Sequence, residues 1–433
     1  MSLNILVVGA GLAGPALASL LQRSSITSAH HITVVERNPS LRTAGQQIDI
    51  KAQGIPILKK MNLLKTMRQH CVAETGFEFL DKNDNMIAQF GVNPVDKRGF
   101  GLTSEYEIMR GDMVKVLYDD SLSQRAEVEK EQSQSTRGSL TYEFDKSIET
   151  LEQSASHAEV TFSDGQRKRY DLVVAADGQA SRTRRLAFGK EISDASFRSM
   201  GLHTGYFDVP RLPNENSVAR GHSAQQRLFI TRPSGRPVTG VYIFTKKDFE
   251  GLRGSYDQSI EKQKEIWIRN LDGLEWQKER FAEGIRNCTD FYAHEQGQVR
   301  MEKLYKGRVV LLGDSGYCPS PFTGLGTTSA LIGAYVLAGE LARNGTNVDA
   351  ALENYQKLAK PPVTALQHLP TENMGFLFPS SRLGVWVLSS VMRAIYKLGI
   401  DKMMPDIMDS AGGTKWSLPE YPEMKFNADE PST

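Results

Sequence analysis

A glycine-spaced turn near the start constrains this chain most. In "NILVVGAGLAGPALASLL" a short β-rich apolar run ends in Gly9-Ala10-Gly11-Leu12-Ala13-Gly14 and passes at once into a helical pattern. A strand, turn and helix so joined need Gly9 for the tight turn, Gly11 so that backbone can approach a pyrophosphate, and Gly14 so that helix and strand pack closely. The helix offers its free N–H groups and positive dipole end to phosphate. "HITVVER" reads as the next strand, and Glu36 at its end, 22 residues beyond Gly14, is placed to hold a ribose hydroxyl pair. A carboxylate there disfavours a 2′-phosphate, which leaves FAD or NAD for this site.

At 433 residues the chain is long enough for two or three domains. Its 52 Lys plus Arg balance 51 Asp plus Glu, with no basic stripe, so nucleic acid is not an expected partner. Cys71, Cys288 and Cys318 are odd in number and scattered. They fit neither a disulfide framework nor a metal cluster, so no metal and a reducing, cytoplasmic setting are expected. The first strand begins almost at once, without a signal-like segment. "RLGVWVLSSVMRAIYKLGI" (382–400) is interrupted by Arg393 and Lys397 and is expected to be a C-terminal packing helix, not a span; membrane contact is not expected.

Further along, residues 54–70 follow a helical pattern, "GFEFLDKNDNMIAQF" reads as a hairpin turning at 83–85, and "MRGDMVKVLYDDSL" as an amphipathic helix. The polar stretch 123–139 is expected to be a surface insertion. Strands resume with "LTYEF", "AEVTFSDGQ" and the fully apolar "YDLVVAADG". Residues from about 188 to 300 hold several strand-like segments and a charged helix near 261–270, a separate sheet-based region. "GRVVLLGDS" then returns to a buried parallel-type strand, followed by "GYCPSPFTGLGTTSALIGAYVLAGEL".

That return decides between the two dinucleotides. An NAD fingerprint needs no partner hundreds of residues later, whereas an extended flavin does, and "ADG" (176–178) and "LLGDS" (311–315) supply two more strand-end turns carrying an acid. With the glycine motif and Glu36-Arg37, "DLVVAADGQASRTRR" and "GDSGYCPSPFTGLGTTSA", the sequence resembles the single-component flavin-dependent aromatic hydroxylases. That class is typified by para-hydroxybenzoate hydroxylase and the tetracycline-degrading monooxygenases, and the motifs span roughly residues 3 to 345 in the family's order.

The resemblance implies an α/β chain: a Rossmann-like FAD-binding domain (1–72, 100–185, 296–345), an inserted mixed β-sheet substrate domain (73–99, 186–295) and a C-terminal helical region (346–433). It implies a cofactor site made of Gly9, Gly11, Leu12, Ala13, Gly14, Glu36, Arg37, Arg110, Asp177, Asp314, Pro321, Gly324, Leu325, Gly326 and Thr327. In it Glu36 holds the adenosine ribose and Arg37 lies by the adenine, while Arg110 reaches the flavin phosphates. Asp177, with Arg182 more loosely, sits near the pyrophosphate and the nicotinamide. Asp314 binds the ribityl chain, and backbone donors at 324–327 face the pyrimidine edge. Tyr317, Ser320 and Thr328 depart from the family's usual His, Pro and Asn, and Cys318 reads as a small loop filler.

The implied activity is that of a monooxygenase. Non-covalent FAD is reduced by NADPH or NADH, which binds transiently, and the C4a-hydroperoxide formed with O2 delivers one oxygen atom to an aromatic, polyketide-like or heterocyclic small molecule. Hydroxylation, epoxidation and Baeyer–Villiger insertion share this machinery. If the substrate is phenolic, a base is expected in the inserted sheet; the candidates are His203, Tyr206, His222 and His294. A monomer or homodimer is expected. The alternatives are a flavin dehydrogenase or reductase that does not use oxygen productively, and a non-catalytic flavin-carrying sensor.

Overall fold

A computed structural model describes residues 2–42, 45–91, 106–131, 138–213, 215–246, 251–320, 323–367, 375–400 and 416–426. The chain opens with β1 (Asn4–Val8), α1 (Ala13–Leu21) and β2 (His31–Val35), then β3 (Gln47–Asp49), α2 (Gly54–Lys60) and α3 (Leu64–Gln69). The hairpin β4 (Gly76–Leu80) and β5 (Met86–Gly91) precedes β6 (Glu107–Met109), which runs straight into α4 (Arg110–Glu131). β7 (Ser139–Glu143), β8 (Ile148–Gln153), β9 (Ala158–Phe162), β10 (Arg167–Tyr170) and β11 (Leu172–Ala175) follow, then α5 (Arg182–Phe188) and α6 (Lys190–Ser196). Next come the long strands β12 (Phe197–Pro210), β13 (Val218–Ala224), β14 (Arg227–Pro233) and β15 (Val238–Thr245), α7 (Ile260–Arg269), α8 (Lys278–Asn287) and β16 (Tyr292–Val299). The chain then forms β17 (Tyr305–Lys306), β18 (Val309–Leu311), α9 (Asp314–Tyr317), α10 (Gly326–Asn344), α11 (Val348–Gln367) and α12 (Arg382–Leu398).

Two sheets organise these elements. The first has the order β17-β18-β11-β1-β2-β7, with β18, β11, β1, β2 and β7 parallel. Its central strands, "ILVV", "LVVA" and "VVL", are buried along their length, as strands covered on both faces must be. α1 can lie against β1 because Gly14 has no side chain: a Cβ there would overlap the Gly9 carbonyl oxygen. The second sheet is mixed, in the order β16-β12-β15-β14-β13-β4-β5. Strand alternation splits its side chains into two clusters: Phe207, Val209, Phe229 and Val241 pack under α7 and α8, and Leu202, Tyr206, Tyr242 and Phe244 face the other way.

Three expectations change in detail. The stretch from residue 123 continues α4 as far as Glu131, and β7 starts at Ser139; 132–137 lie outside the described residues. This polar helix end is anchored by one buried arginine: Arg125 donates to Gln22 Oε1, the Ser28 carbonyl and the Gly138 carbonyl, and pairs with Glu129 one turn on. The helical pattern of 54–70 breaks in two at Asn62, whose φ of 57° is left-handed. In α12 no residue is buried. Met392 and Tyr396 rest on the Tyr206 cluster, while Leu383, Trp386, Val387, Val391 and Leu398 face outward. Among the described residues no helix is long and apolar enough to cross a membrane.

Candidate active site

At the carboxyl ends of the parallel strands the glycine turn is tied down from both sides. Gly9 N–H donates to the Val35 carbonyl (2.8 Å), and Ala10 N–H to Glu36 Oε2 (2.9 Å). Glu36 Oε1 accepts from the Asn38 backbone N–H (3.0 Å) and side-chain amide (2.8 Å). A carboxylate at this strand end thus fixes the loop while remaining half-buried at its mouth. Gly9 takes φ 109°, and a Cβ there would come within 2.6 Å of the Ala176 carbonyl. Arg37 is exposed on the next residue.

Arg110 opens α4 and reaches into this turn. Its guanidinium lies 3.3 Å from where a Cβ of Gly11 would stand, and its aliphatic stem crosses Gly45. Burial and Arg42 lower its basicity, against the raising influence of Tyr292, Asp314 and Glu36. Those three names locate it: one cation between the Glu36 loop and the Asp314 loop.

Asp177 follows β11 and caps α5. Its carboxylate accepts from Ser181 Oγ (2.5 Å), Thr183 N–H (3.0 Å) and Thr183 Oγ1 (2.9 Å), and its backbone lies beside Gly9. Arg182 is exposed, donating to the Glu149 carbonyl at 3.5 Å. Neighbouring Arg184 is the buried arginine of this motif, joining the Ser315 and Gln179 carbonyls. The second and third motifs therefore meet through Arg184.

Asp314 begins α9 behind Gly313, whose φ is 68°; a Cβ on Gly313 would meet that of Ala13 at 3.3 Å. The first and last motifs, three hundred residues apart in the chain, are therefore in van der Waals reach. Burial raises the Asp314 pKa, opposed by the Cys318 thiol and Arg110. Burial and Asp314 hold the Cys318 thiol well above its ordinary pKa, which favours the neutral thiol. Tyr317, where the family has histidine, is buried and bonds Tyr355 Oη (3.0 Å), which donates to the Leu311 carbonyl.

Pro321 lies outside the described residues. Beyond it the loop turns at Gly324 (φ 62°), Leu325 N–H donates to Thr323 Oγ1, and α10 starts at Gly326 with Thr327 buried behind it. Among the described residues nothing stands within 4 Å of a Cβ built on Gly326, at the amino end of the 19-residue α10. Opposite stand Asp49 and Lys51, 2.6 and 3.3 Å from a Cβ built on Gly324. Thr328, at the third departure from the family, donates to the Lys51 carbonyl (2.7 Å). Sequence reasoning missed Asp49 and Lys51. The signal was the alternation in "QQIDIK", which puts both charges on the face opposite Ile48 and Ile50.

The four candidate bases divide between the two faces of the mixed sheet. His203 meets Tyr256 Oη (2.7 Å) and His222 the Leu80 carbonyl (3.1 Å) with its ring against Trp276, both on the α7–α8 side. Tyr206 and His294 stand together on the opposite face, their ring centroids 6.0 Å apart, beside Tyr292 and Gln296. Their strand positions have the parity of Leu202 and Thr204, and those of His203 and His222 do not. Burial lowers the His294 pKa to about 4, so its ring is neutral at pH 7, and its Nδ1 is buried without a partner among the described residues. Burial raises Tyr206 above the ordinary phenol range. A cavity of about 580 Å³, open mouth included, separates this face from Arg42 and residues 45–47; its lining includes Arg42, Gln47, Tyr206, Arg232, Tyr242 and Tyr292. Arg42 lies 4.5 Å over the Tyr292 ring.

The glycine cradle, the amino end of α10 and the facing acid and lysine suit an extended flavin dinucleotide, and known proteins agree. Residues 2–368 match the family model described as FAD binding domain. The chain is 40% identical to the FAD-dependent monooxygenase asL6 of Sarocladium schorii, covering 99% of this chain and 100% of that one. It is 33% identical to the flavin-dependent monooxygenase eupH of a Phoma species, covering 90% and 91%. Among solved structures, tetracycline destructase Tet(51) superposes with a TM-score of 0.76 at 27% identity, covering 97% of this chain and 100% of that chain. The chain belongs to the FAD-binding-domain family of flavin monooxygenases, and its own activity is that of an FAD-dependent monooxygenase.

Proposed function

We propose that FAD lies extended along the motif residues. The ribose is held at Glu36, with Arg37 beside the adenine, and the pyrophosphate lies between the Gly9–Gly14 turn, Arg110 and the Asp177 corner. The ribityl chain lies at Asp314, and the ring edge against the 324–327 backbone. The observation that carries this reading is the close approach of Gly313 to Ala13, which brings the Asp314 loop against the glycine turn. When bound and reduced, FAD supplies the activation of O2 for transfer of one oxygen atom.

The protein's own part is to hold charge and exclude water. The amino end of α10 and Lys51 favour negative charge at the ring edge, and Arg110 neutralises phosphate. The parallel-sheet half serves the cofactor, and the mixed sheet with the hairpin β4–β5 serves the substrate. Tyr206, Tyr292 and His294 form an aromatic wall on the substrate side, with Arg42, Gln47 and Arg232 supplying hydrogen-bonding points, suited to an oxygenated multi-ring aromatic or polyketide-like molecule. The likeness to a tetracycline destructase supports the same substrate size class. NADPH or NADH is a transient reductant.

The test is direct. Purified protein is expected to carry FAD and to oxidise NAD(P)H faster with a suitable aromatic metabolite, with product mass raised by one oxygen. Substrate-stimulated NAD(P)H oxidation that never adds oxygen to any bound aromatic would favour a dehydrogenase instead.

A further inference from the structure

On one face of the ribbon of β3 and β6 lies a group of charges that, Lys51 apart, the cofactor reading leaves unused. Arg232 on β14 serves two carboxylates: its Nη2 is 2.7 Å from Glu74 Oε1 and also meets Glu107 Oε1, and its Nε donates to Glu74 Oε2 at 3.1 Å. Gln47 Nε2 donates to Glu74 Oε2 at 3.3 Å. Tyr242 on β15 lies beneath the guanidinium, and its hydroxyl accepts the Gln47 N–H at 2.8 Å. Glu107 is 1% exposed, and its Oε2 is buried with no hydrogen-bond partner among the described residues.

Glu107 stands directly across the ribbon from Asp49. Directly opposed residues of an antiparallel pair carry their side chains on the same face. Asp49 is paired with Lys51 at 3.0 Å, and both stand against Gly324 at the ring end of the cofactor groove. Among the described residues the group is thus Asp49, Glu74 and Glu107 against Arg232 and Lys51, one negative charge in excess. Excess charge away from water is relieved by taking up a proton, and Glu107 has the oxygen free to carry it. Burial raises its pKa most, Arg232 opposes, Asp49 and Glu74 add to the rise and Lys51 subtracts, leaving it at about 8.

We propose that Glu107 is a proton-holding carboxylic acid which, through Asp49, makes the affinity of this site for FAD depend on pH. While Glu107 keeps its proton the group is neutral and Asp49 remains with Lys51. When the proton leaves, a second carboxylate charge stands beside Asp49. FAD carries two phosphate charges and gains another on its ring when reduced, so it is held less tightly, the reduced form most of all. Glu107 is here a positioning residue, acting through Asp49. The inference rests on the FAD reading.

The experiment is FAD binding to apoprotein, followed by flavin fluorescence from about pH 6 to about pH 9.5, in the wild type, Glu107→Gln and Glu74→Gln. The wild-type Kd is expected to rise several-fold through about pH 8. Glu107→Gln, neutral at every pH, is expected to change less than about twofold. Glu74→Gln leaves Arg232 to Glu107 alone, and the weakening is expected at lower pH. An infrared carboxylic-acid band, present in the wild type at neutral pH and absent from Glu107→Gln, is a readout that needs no cofactor. Superimposable pH profiles for the wild type and Glu107→Gln would overturn the inference. Should the variants not fold, a wild-type acid band that fails to fade through about pH 8 overturns it equally. If FAD fails to bind at any pH the cofactor reading falls; if it binds without the pH step, only the role of Glu107 does.

Discussion

The two faces of the mixed sheet are built from alternate residues of the same strands, yet they differ in kind. Under α7 and α8 the sheet presents Phe207, Val209, Phe229 and Val241 to Trp267, Trp276 and Phe281, a dry and densely aromatic core. Towards the parallel sheet it presents Thr204, Tyr206, Tyr242, Tyr292, His294 and Gln296, rings with polar tips. Both are aromatic, so aromatic content does not distinguish core from site. Nor do imidazoles, since His203 and His222 lie bonded on the α7–α8 side; the cavity does, because Tyr206, Tyr242 and Tyr292 line it from the second face.

The largest effect expected from breaking that contrast is on the dry face. Trp267→Ala removes a fully buried ring that packs on Gly205, and should cost about 3–5 kcal/mol of stability in chemical denaturation. Retention of wild-type stability would show the α7–α8 layer to be dispensable.

Gly324→Ala comes next and acts chiefly on the proposed cofactor groove. It forces a left-handed residue to carry a Cβ within 2.6 Å of Asp49 Oδ2, and FAD affinity is expected to fall about tenfold or more, with thermal stability of the apoprotein lowered by only about 1 kcal/mol. Equilibrium dialysis against FAD reads the first quantity and calorimetry the second.

Tyr206→Phe sharpens the wet face. It deletes a hydroxyl that accepts from Gln296 Nε2 at 3.3 Å and leaves the ring, so stability should move by about 1 kcal/mol or less while kcat/KM with an oxygenated substrate falls several-fold. Equal kcat/KM would place the substrate elsewhere.

The smallest effect is a pH dependence. His294 is held at about 4 when folded against an ordinary value of 6.5, so unfolding takes up a proton between those limits. The stability this withholds is lost as pH falls from 6.5 towards 4, and is unaffected above 6.5. His30, also held at about 4 by burial, adds the same slope. His294→Gln should therefore flatten the acid limb of a denaturation-against-pH curve by up to about one proton and leave the His30 part in place. An unchanged limb would mean that His294 is hydrated.

The parts of the site legible in the sequence share one property: they are local. Gly9 to Gly14, Glu36, Asp314 and Gly324 each sit where a strand ends and a turn needs a special backbone, and that need is written in adjacent residues. Arg110 was legible as the start of a helix, and its reach into the Gly11 turn emerged only from packing. The helix Arg110–Glu131 shows the opposite failure: a polar run looked like an insertion because the one arginine that buries it, Arg125, bonds carbonyls that are distant in sequence or beyond the helix end.

By itself the sequence determined the element types at the carboxyl ends of the parallel strands, the turns that shape a dinucleotide groove, and through them the family. Only the tertiary structure decided which histidines share a face with Tyr206, because a sheet face depends on strand register and a single-residue slip inverts it. It alone decided that Asp49 stands against Gly324 and beside Glu107 on one face of the β3–β6 ribbon, since that meeting joins two short strands distant in sequence and a loop from the other half of the chain. Short-range backbone needs are encoded in neighbouring residues, whereas a buried charge balance is a sum over partners that only the folded chain brings together.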